Sequence, residues 1–376
     1  MLRKSIDFTD LIFYILQKTM KNREVLLDTY TDYLIGSTLS ATSTGLSKIM
    51  NDGVGHDSYT RLLSGSDYTS KELWSLVKLS VRAQEIAEGI LVFDDTISEK
   101  PHTDVNELVC WHYDHSKGRS VKGINLLTGL YVGKADVSIP VVYELITKQL
   151  DTVTNKRVSE VSKNERMRRC FDLALKNDLK FQWVITDIWF GSAENMTHIK
   201  ENGKDFIMPL KTNRLVALSE EDKMAGRYLP IESLKLEPGD CKKVYLKETP
   251  YSVTLVKEEY VNKDLSTACL YLVSSDEKVT YQTIISLYQK RWKVEEYHKS
   301  LKNNASLAAS PTKTVKTQSN HVFMSLIAYC KLELLKVKNG LNHFAFKAQL
   351  YTKAMALAIS ELRTHKLGSQ LQFNFA

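Results

Sequence analysis

The sequence predicts an α/β protein with helical regions at both ends. Apolar residues at helical spacing dominate residues 1–88 and return from residue 280 almost to the end of the 376-residue chain. Between these regions lie short, continuous apolar runs that are typical of buried strands, the first directly after Gly89. The change of pattern predicts a strand-rich core with helices packed around it.

The N-terminal helices include a candidate DNA-binding motif. Residues 5–35 carry apolar residues at mixed spacings of three and four, which predicts helical structure. Residues 43–64 contain two short helical patterns on either side of a turn signal at residues 51–53. This arrangement is typical of a helix-turn-helix, whose second helix would present Arg61 to base edges. A plain helical hairpin fits the same pattern.

Acidic residues follow two of the predicted strands. The apolar run 89–93 leads into Asp94 and Asp95, and the run 181–186 leads into Asp187. Carboxylates at the C-terminal ends of strands point into the crevice where α/β sheets carry out chemistry. An aspartate after a strand is also a common turn former, so each residue alone is a weak signal.

Further elements are predicted around these strands. Strands are expected at residues 108–113, 123–132, 139–145 and 206–210, and helices at 70–88, 163–176 and 191–202. Residues 213–275 alternate between short apolar segments and turns, which predicts a small antiparallel β region. The remaining helices are predicted at residues 280–302, 320–338 and 345–363.

The charge distribution points to a polyanionic partner. The chain carries a net charge of +7, yet residues 288–376 alone contain fourteen Lys or Arg and four Asp or Glu. A basic C-terminal quarter on a near-neutral body suits nucleic acid, although a solvated helix surface would look the same.

Composition also limits the cellular setting. Five scattered cysteines without paired spacing argue against a disulfide framework or a zinc site, and favour a reducing cytoplasm. No apolar run approaches ~18 residues, and early acidic residues argue against a signal peptide, so no membrane association is expected.

A third acid lies on the helix predicted at residues 280–302. Tyr288, Arg291, Glu295 and Lys302 fall on one face of that helix. Metal-dependent phosphodiester chemistry needs carboxylates around hard cations, and cationic side chains beside them to hold phosphates. The face therefore suits a site in which Glu295 binds metal while Arg291 and Lys302 contact phosphate.

This pattern, Tyr-x2-Arg-x3-Glu-x6-Lys, resembles the YREK signature of insertion-sequence DDE transposases of the IS-four-like group. Asp95-Thr96 resembles the first acidic motif of that family, and residues 186–192 resemble the second. Residues 206–214 resemble the strand and polar tail that usually follow. The resemblance covers about residues 40–340 and implies an RNase H-like catalytic core that carries a β-rich insertion.

The resemblance implies five regions along the chain. They are an N-terminal helical DNA-binding region (1–88), the first part of the catalytic core (89–212), the β-rich insertion (213–279), the second part of the core with the YREK helix (280–340), and a C-terminal helical region (341–376).

The resemblance also implies roles for individual residues. Asp95, Asp187 and Glu295 would hold two Mg²⁺ or Mn²⁺ ions, and Tyr288, Arg291 and Lys302 would contact transposon-end DNA. Side-chain alternation turns Asp94 and Asp95 to opposite sides of the strand. The family motif has its acid directly before threonine, which favours Asp95.

Two further segments are expected near the DNA. In related cut-and-paste enzymes an aromatic residue at the position of Trp292 helps to hold a flipped base; packing beneath the helix is the alternative. Residues 112–119 predict a hairpin turn that brings Lys117 and Arg119 near DNA, and a metal site through its two histidines is the alternative.

These expectations combine into a DNA transposase. It would bind terminal inverted repeats, act as a homodimer, cleave DNA by metal-dependent hydrolysis and join the 3′-OH ends to target DNA. Two rivals remain: a nuclease of the same fold without strand transfer, and a domesticated DNA-binding regulator without catalysis.

Overall fold

The computed structural model describes residues 8–51, 53–115, 117–261 and 264–366. The chain divides into two compact units, each built from separate stretches of sequence. The helical unit comprises Met1–Gly65, Ser300–Pro311 and Met324–Ala376, and the sheet unit comprises Ser66–Lys299 and Thr312–Phe323. The five regions expected from the sequence stay a prediction.

Helices and strands follow the predicted order. They are α1 (Phe8–Gly36), α2 (Ser43–Met50), α3 (His56–Ser64), α4 (Ser70–Gln84), β1 (Ile90–Glu99), β2 (Cys110–Asp114), β3 (Arg119–Val132), β4 (Ser138–Leu145), β5 (Gln149–Asp151), β6 (Lys156–Val158), α5 (Lys163–Lys176), β7 (Trp183–Thr186), α6 (Ala193–Glu201), β8 (Asp205–Leu210), β9 (Leu215–Ala217), α7 (Glu220–Met224), β10 (Leu229–Pro230), β11 (Cys241–Leu246), β12 (Ser252–Val261), β13 (Thr267–Ser274), α8 (Tyr281–Gln289), α9 (Trp292–Asn303), α10 (Val315–Asn339) and α11 (His343–Lys366).

Within the helical unit, α2 and α3 form the expected pair of short helices. The Thr42 hydroxyl caps α2 by accepting a hydrogen bond from the Gly45 N–H at 2.9 Å. Asn51 ends α2 in the left-handed conformation, with φ at 46°. On α3, Tyr59 and Leu62 are buried whereas Arg61 is exposed. The predicted helix pair is therefore confirmed, and Tyr59 belongs to its hydrophobic interior.

The sheet unit is built around one mixed sheet. Its strand order is β10-β9-β11-β12-β13-β8-β7-β1-β3-β2, with β4 also paired to β3. The β1–β7 and β7–β8 pairs are parallel, and the others are antiparallel. Helices α4 and α5 pack against β4. The predicted α/β fold class is confirmed, as a large mixed sheet flanked by helices in the manner of an RNase H-like core.

The strands expected within residues 213–275 extend this sheet. They pair antiparallel with one another, as predicted, and β13 then pairs with β8, with Tyr271 opposite Leu210. The segment is therefore continuous with the core sheet through its backbone hydrogen bonds. Leu255 and Leu272 are fully buried, so these strands also contribute side chains to the hydrophobic core.

Strand β1 continues past the two aspartates in which it was expected to end. Its pairing with β3 extends to Glu99 opposite Gly123, so backbone hydrogen bonding holds Asp94 and Asp95 inside the strand. The preceding residues Leu91, Val92 and Phe93 are fully buried, as the continuous apolar run predicted.

The helix predicted at residues 280–302 is two helices. Between α8 and α9 the backbone N–H groups of Arg291 and Lys293 donate to the carbonyls of Tyr288 and Lys290, three residues earlier. Such bonds tighten the turn and interrupt the α-helical ladder. The single face predicted for this segment is therefore broken at Arg291.

The described part of the chain contains no candidate membrane span. None of its helices combines the length and the apolar character that a membrane-spanning helix needs.

We predict that Gly129→Ala destabilises the sheet unit. A Cβ atom at this position would lie 2.5 Å from Val142 Cγ2 and 2.8 Å from Phe93 Cε1, and both side chains are fully buried. Overpacking of this kind costs about 1–3 kcal/mol. Urea denaturation measures the loss, and Gly36→Ala is the control because its Cβ would meet nothing within 4 Å. Equal stability of the two variants would contradict the packing described for β3.

Candidate active site

Asp94 and Asp187 lie on neighbouring parallel strands. β1 and β7 pair with Phe93 opposite Thr186, so the next residues, Asp94 and Asp187, stand side by side. Asp187 Oδ1 accepts a hydrogen bond from the Trp189 N–H at 2.9 Å and caps the short 3₁₀ turn at Ile188–Phe190. One oxygen of Asp187 is thus held by the backbone beyond the strand.

Asp94, rather than Asp95, faces the helix that carries Glu295. Asp94 lies directly opposite Thr128 on β3, and residues opposite each other on paired strands share a face. The Thr128 hydroxyl lies 3.3 Å from the Tyr297 hydroxyl of α9. This face of the sheet, which carries Asp94 and Thr128 and is covered by α9, is called the α9 face below.

Asp95 points to the opposite face. Its Oδ2 accepts a hydrogen bond from Lys163 Nζ of α5 at 2.7 Å, which forms an ion pair. His112 lies on the same side, with Nε2 3.2 Å from Cys110 Sγ, and burial, then the cationic Lys148 and Lys163, lowers its pKa to about 4. The buried, neutral imidazole of His112 therefore lies beside the Asp95–Lys163 ion pair, and this arrangement favours a structural role for His112 over metal binding.

The carboxylates on the α9 face repel one another. Burial raises the pKa of Asp94 well above its ordinary value, and the charges of Asp187, Asp95 and Glu295 raise it further. Burial also raises the pKa of Asp187; the Asp95 charge adds to this, whereas the Trp189 N–H and Arg291 oppose it. Either a proton or a cation placed among these groups would relieve the repulsion.

Glu295 is held by Arg291. Their side chains form an ion pair, with 3.1 Å between Arg291 Nη1 and Glu295 Oε1. The Arg291 guanidinium also lies 5.9 Å from the ring centres of Tyr288 and Trp292. Burial raises the pKa of Tyr288 to about 12, so its phenol is neutral and can donate a hydrogen bond at neutral pH.

Trp292 and Lys302 occupy the two ends of α9. Trp292 is 64% exposed, so the alternative in which it packs beneath the helix is wrong. Lys302 lies in the last turn of α9, in the stretch that belongs to the helical unit. The other residues expected to contact DNA are placed on surfaces: Arg61 on α3, and Arg119 at the start of β3.

The segment 112–119 forms the predicted hairpin. β2 pairs antiparallel with β3, with Asp114 opposite Arg119, and Gly118 takes the positive φ of 61° that the turn requires. Lys117 forms an ion pair with Glu99. His115 stacks on Trp189 with 4.0 Å between ring centres, which ties the hairpin to the turn after Asp187.

The donor set on the α9 face fits a hard divalent cation. Asp94, Asp187 and Glu295 offer carboxylate oxygens, the ligands that Mg²⁺ and Mn²⁺ prefer. Within the described part of the chain, no three His, Cys, Asp or Glu side chains converge closely enough to form a finished metal cage. Because the pKa of Asp94 is raised well above its ordinary value, a cation would compete with a proton at that carboxyl and would have to draw the carboxylates together.

Sequence reasoning did not identify Lys163 as the partner of Asp95. The two residues are 68 positions apart and meet only because α5 packs beside β3 and β4. The choice between Asp95 and Asp94 as the catalytic acid stays a prediction. Alternation along β1 puts the two side chains on opposite faces of the strand, and Asp94 is the one that shares a face with Thr128.

We predict that Asp94→Asn stabilises the metal-free protein at neutral pH. The pKa of Asp94 is raised in the folded state, so the folded protein binds more protons than the unfolded chain from about pH 4, the ordinary value, upward. Stability is therefore full below that pH and is lost as pH rises through the folded pKa. The asparagine variant avoids this loss, and urea denaturation in EDTA at several pH values measures it.

The control is Asp95→Asn, which removes the ion pair with Lys163 and leaves the Asp94 carboxyl buried. We expect no comparable gain from it at neutral pH. If the difference between wild type and Asp94→Asn were the same at pH 4 and pH 7.5, the raised pKa of Asp94 would be contradicted.

Two protein-family models match the sequence. The sequence model of the transposase DDE domain matches residues 141–331. That of the DDE superfamily endonucleases matches residues 15–230. Each match covers more than half of the chain, and together they include all the carboxylates described above.

Other comparisons add little. No match is found among the curated proteins. The crystal structure of endonuclease V from Bacillus subtilis aligns with 73% of this chain and 96% of its own, at 11% identity and a TM-score of 0.26, which is too low to bear on the fold. The two family matches are sufficient: the chain belongs to the DDE transposase family.

Proposed function

We propose that the chain is the DNA transposase of an insertion sequence in the YREK group. The observation that carries the proposal is the pair of carboxylates on adjacent parallel strands, Asp94 and Asp187, with Glu295 on the helix that covers the same face. The enzyme would bind terminal inverted repeats, hydrolyse a phosphodiester bond and join the freed 3′-OH to target DNA. Two copies would act together, one on each transposon end.

In this proposal Asp94, Asp187 and Glu295 hold two Mg²⁺ or Mn²⁺ ions. Bound divalent cations would activate the attacking water or hydroxyl and stabilise the leaving oxygen. Asp94 takes the role that the family motif alone would give to Asp95. The register of β1 with β7 and with β3 supports this choice, because it sets Asp94 beside Asp187 and on the α9 face.

The surrounding residues would position the phosphate. The largely buried guanidinium of Arg291 forms an ion pair with Glu295, close to the acids. Once Glu295 binds a cation, Arg291 can bind a phosphate oxygen in its place. The neutral phenol of Tyr288 can donate a hydrogen bond to the same strand. Lys302, Lys117 and Arg119 would contact phosphates farther along the DNA, and the exposed Trp292 would stack on a base.

In the first reaction, water attacks the phosphorus and the bond to the 3′ oxygen breaks, which leaves a 3′-OH and a 5′-phosphate. In the second, that 3′-OH attacks a phosphorus of target DNA and displaces the target's own 3′ oxygen. An endonuclease of the same fold would stop after the first reaction, and the match to a family of DDE endonucleases keeps this candidate open. A strand-transfer assay with paired ends separates the two candidates.

We predict that Asp94→Asn and Asp187→Asn each abolish cleavage. The substrate is duplex DNA from the inverted repeats that flank the gene, with Mg²⁺ or Mn²⁺ present. Loss of a carboxylate ligand should lower the nicking rate by a factor of 100 or more, on the order of 3 kcal/mol in activation free energy. Binding of the same DNA, measured by anisotropy in EDTA, should be largely retained.

The matched control is Asp95→Asn, which changes the neighbouring carboxylate to the same amide. Here we expect a rate within about tenfold of wild type, because the Asp95 charge acts on Asp187 only as a neighbour. If Asp95→Asn were inactive while Asp94→Asn still nicked DNA, Asp95 would be the ligand after all.

We predict that Arg61→Ala narrows the discrimination between end DNA and random DNA. Arg61 is exposed in the last turn of α3, the second helix of the pair, which is the helix that a helix-turn-helix presents to the major groove. Loss of a bidentate contact to guanine would cost ~1–3 kcal/mol on end DNA. Competition binding with end and scrambled duplexes measures the change.

Lys48→Ala on α2 provides the comparison, because Lys48 is exposed but lies on the first helix, which crosses the phosphate backbone. It should weaken binding to both duplexes alike. Unchanged discrimination in Arg61→Ala would show that sequence choice lies elsewhere in the protein.

A further inference from the structure

An exposed row of rings lies on the α9 face of the sheet. Trp111 and Tyr113 alternate with the buried Cys110 and His112 along β2, and they are 56% and 53% exposed. His115 follows at the end of the strand. Such a row on an edge strand is costly in water, which suggests that it serves a ligand with flat apolar faces.

Strand register places this row on the same face as Asp94. Trp111 is opposite Lys122 on β3, and Lys122 shares its side of that strand with Thr128, the partner of Asp94. His112 and Cys110 point the other way, towards Asp95. The rings and the acids on which cleavage is proposed to depend are therefore on one face of the sheet.

The row reaches the acid pair through His115 and Trp189. The Tyr113 and His115 rings meet edge-on at 4.8 Å, and His115 stacks on Trp189 at 4.0 Å with an interplanar angle of 24°. Trp189 is 48% exposed, and its backbone N–H donates to Asp187. Gly191 permits this loop to approach β8, because a Cβ there would lie 2.9 Å from the Pro209 carbonyl oxygen.

A basic cleft adjoins the far end of the row. It has a volume of about 450 Å³ and is lined by Trp189, Lys211, Arg214, Lys247 and Glu248, among other residues. Lys211 Nζ lies 5.2 Å from the centre of the Trp189 ring. A base could take this place while the lysine turns to the neighbouring phosphate.

We propose that Trp111, Tyr113, His115 and Trp189 form a stacking platform for unpaired bases of the DNA strand next to the cleavage site. Single-stranded nucleic acid is recognised by flat aromatic side chains together with a positively charged groove, and both are present here. The platform rests on the proposed function for its substrate, because a duplex has no free base faces until it opens at the end that is cut.

The test measures binding without catalysis. The probes are a single strand of mixed sequence with one 2-aminopurine and the duplex made from it, both in EDTA. We expect Trp189→Ala and Tyr113→Ala each to weaken single-strand binding about tenfold, the usual effect of losing one stacked base. Duplex binding should change less than twofold, and Trp189→Phe should retain most single-strand affinity.

Tyr260→Ala is the matched control, since Tyr260 is 48% exposed on β12 and lies away from the row. It should leave both affinities unchanged. Wild-type protein should also quench 2-aminopurine fluorescence on binding, and Trp189→Ala should not. Equal binding of the single strand by wild type and both row variants, or equal losses for strand and duplex, would overturn the platform.

These outcomes are separable from the proposed function. If the row variants bind the single strand normally while Asp94→Asn and Asp187→Asn abolish cleavage, the platform alone is wrong. If single-strand binding depends on Trp189 and Tyr113 while both aspartate variants still cleave, the platform stands and the catalytic assignment fails.

Discussion

The parallel pairing of β1 with β7 places two carboxylates side by side, and the rest of the site is arranged around their repulsion. Asp94 and Asp187 follow the paired residues Phe93 and Thr186, and this pairing keeps the two carboxylates adjacent. Burial raises the pKa of both groups. Burying two neighbouring carboxylates destabilises the folded protein, and such pairs are typical of functional sites. A divalent cation bound between them would compensate their charges.

The two faces of β1 carry different chemistry. On one face, Asp95 forms an ion pair with Lys163, and His112 lies beside them with a lowered pKa. On the other, Asp94 meets Asp187, and the Arg291–Glu295 ion pair lies nearby on the covering helix. Strand alternation thus gives two adjacent residues of one motif different surroundings.

Most elements could be predicted from apolar periodicity, and the family from motifs that resemble those of DDE transposases, whereas the roles of Asp187 and Glu295 stay predictions. The details that failed depend on tertiary pairing. β1 extends to Glu99 only because β3 pairs with it, and the 280–302 helix breaks at Arg291 through three-residue hydrogen bonds that propensity does not report. Periodicity also does not report the contact between His115 and Trp189, which joins segments 74 residues apart. The position of α9, which bears on the choice between Asp94 and Asp95, is likewise a tertiary feature.

The most direct measurement of the central claim is proton release on cation binding. Calorimetric titration of the protein with Mn²⁺ near pH 6, in two buffers of different ionisation enthalpy, counts the protons displaced. If Asp94 and Asp187 bind the cation, wild type and Asp95→Asn should release protons, and Asp94→Asn should bind weakly and release fewer. Binding without proton release, or binding that is lost in Asp95→Asn and kept in Asp94→Asn, would contradict the account.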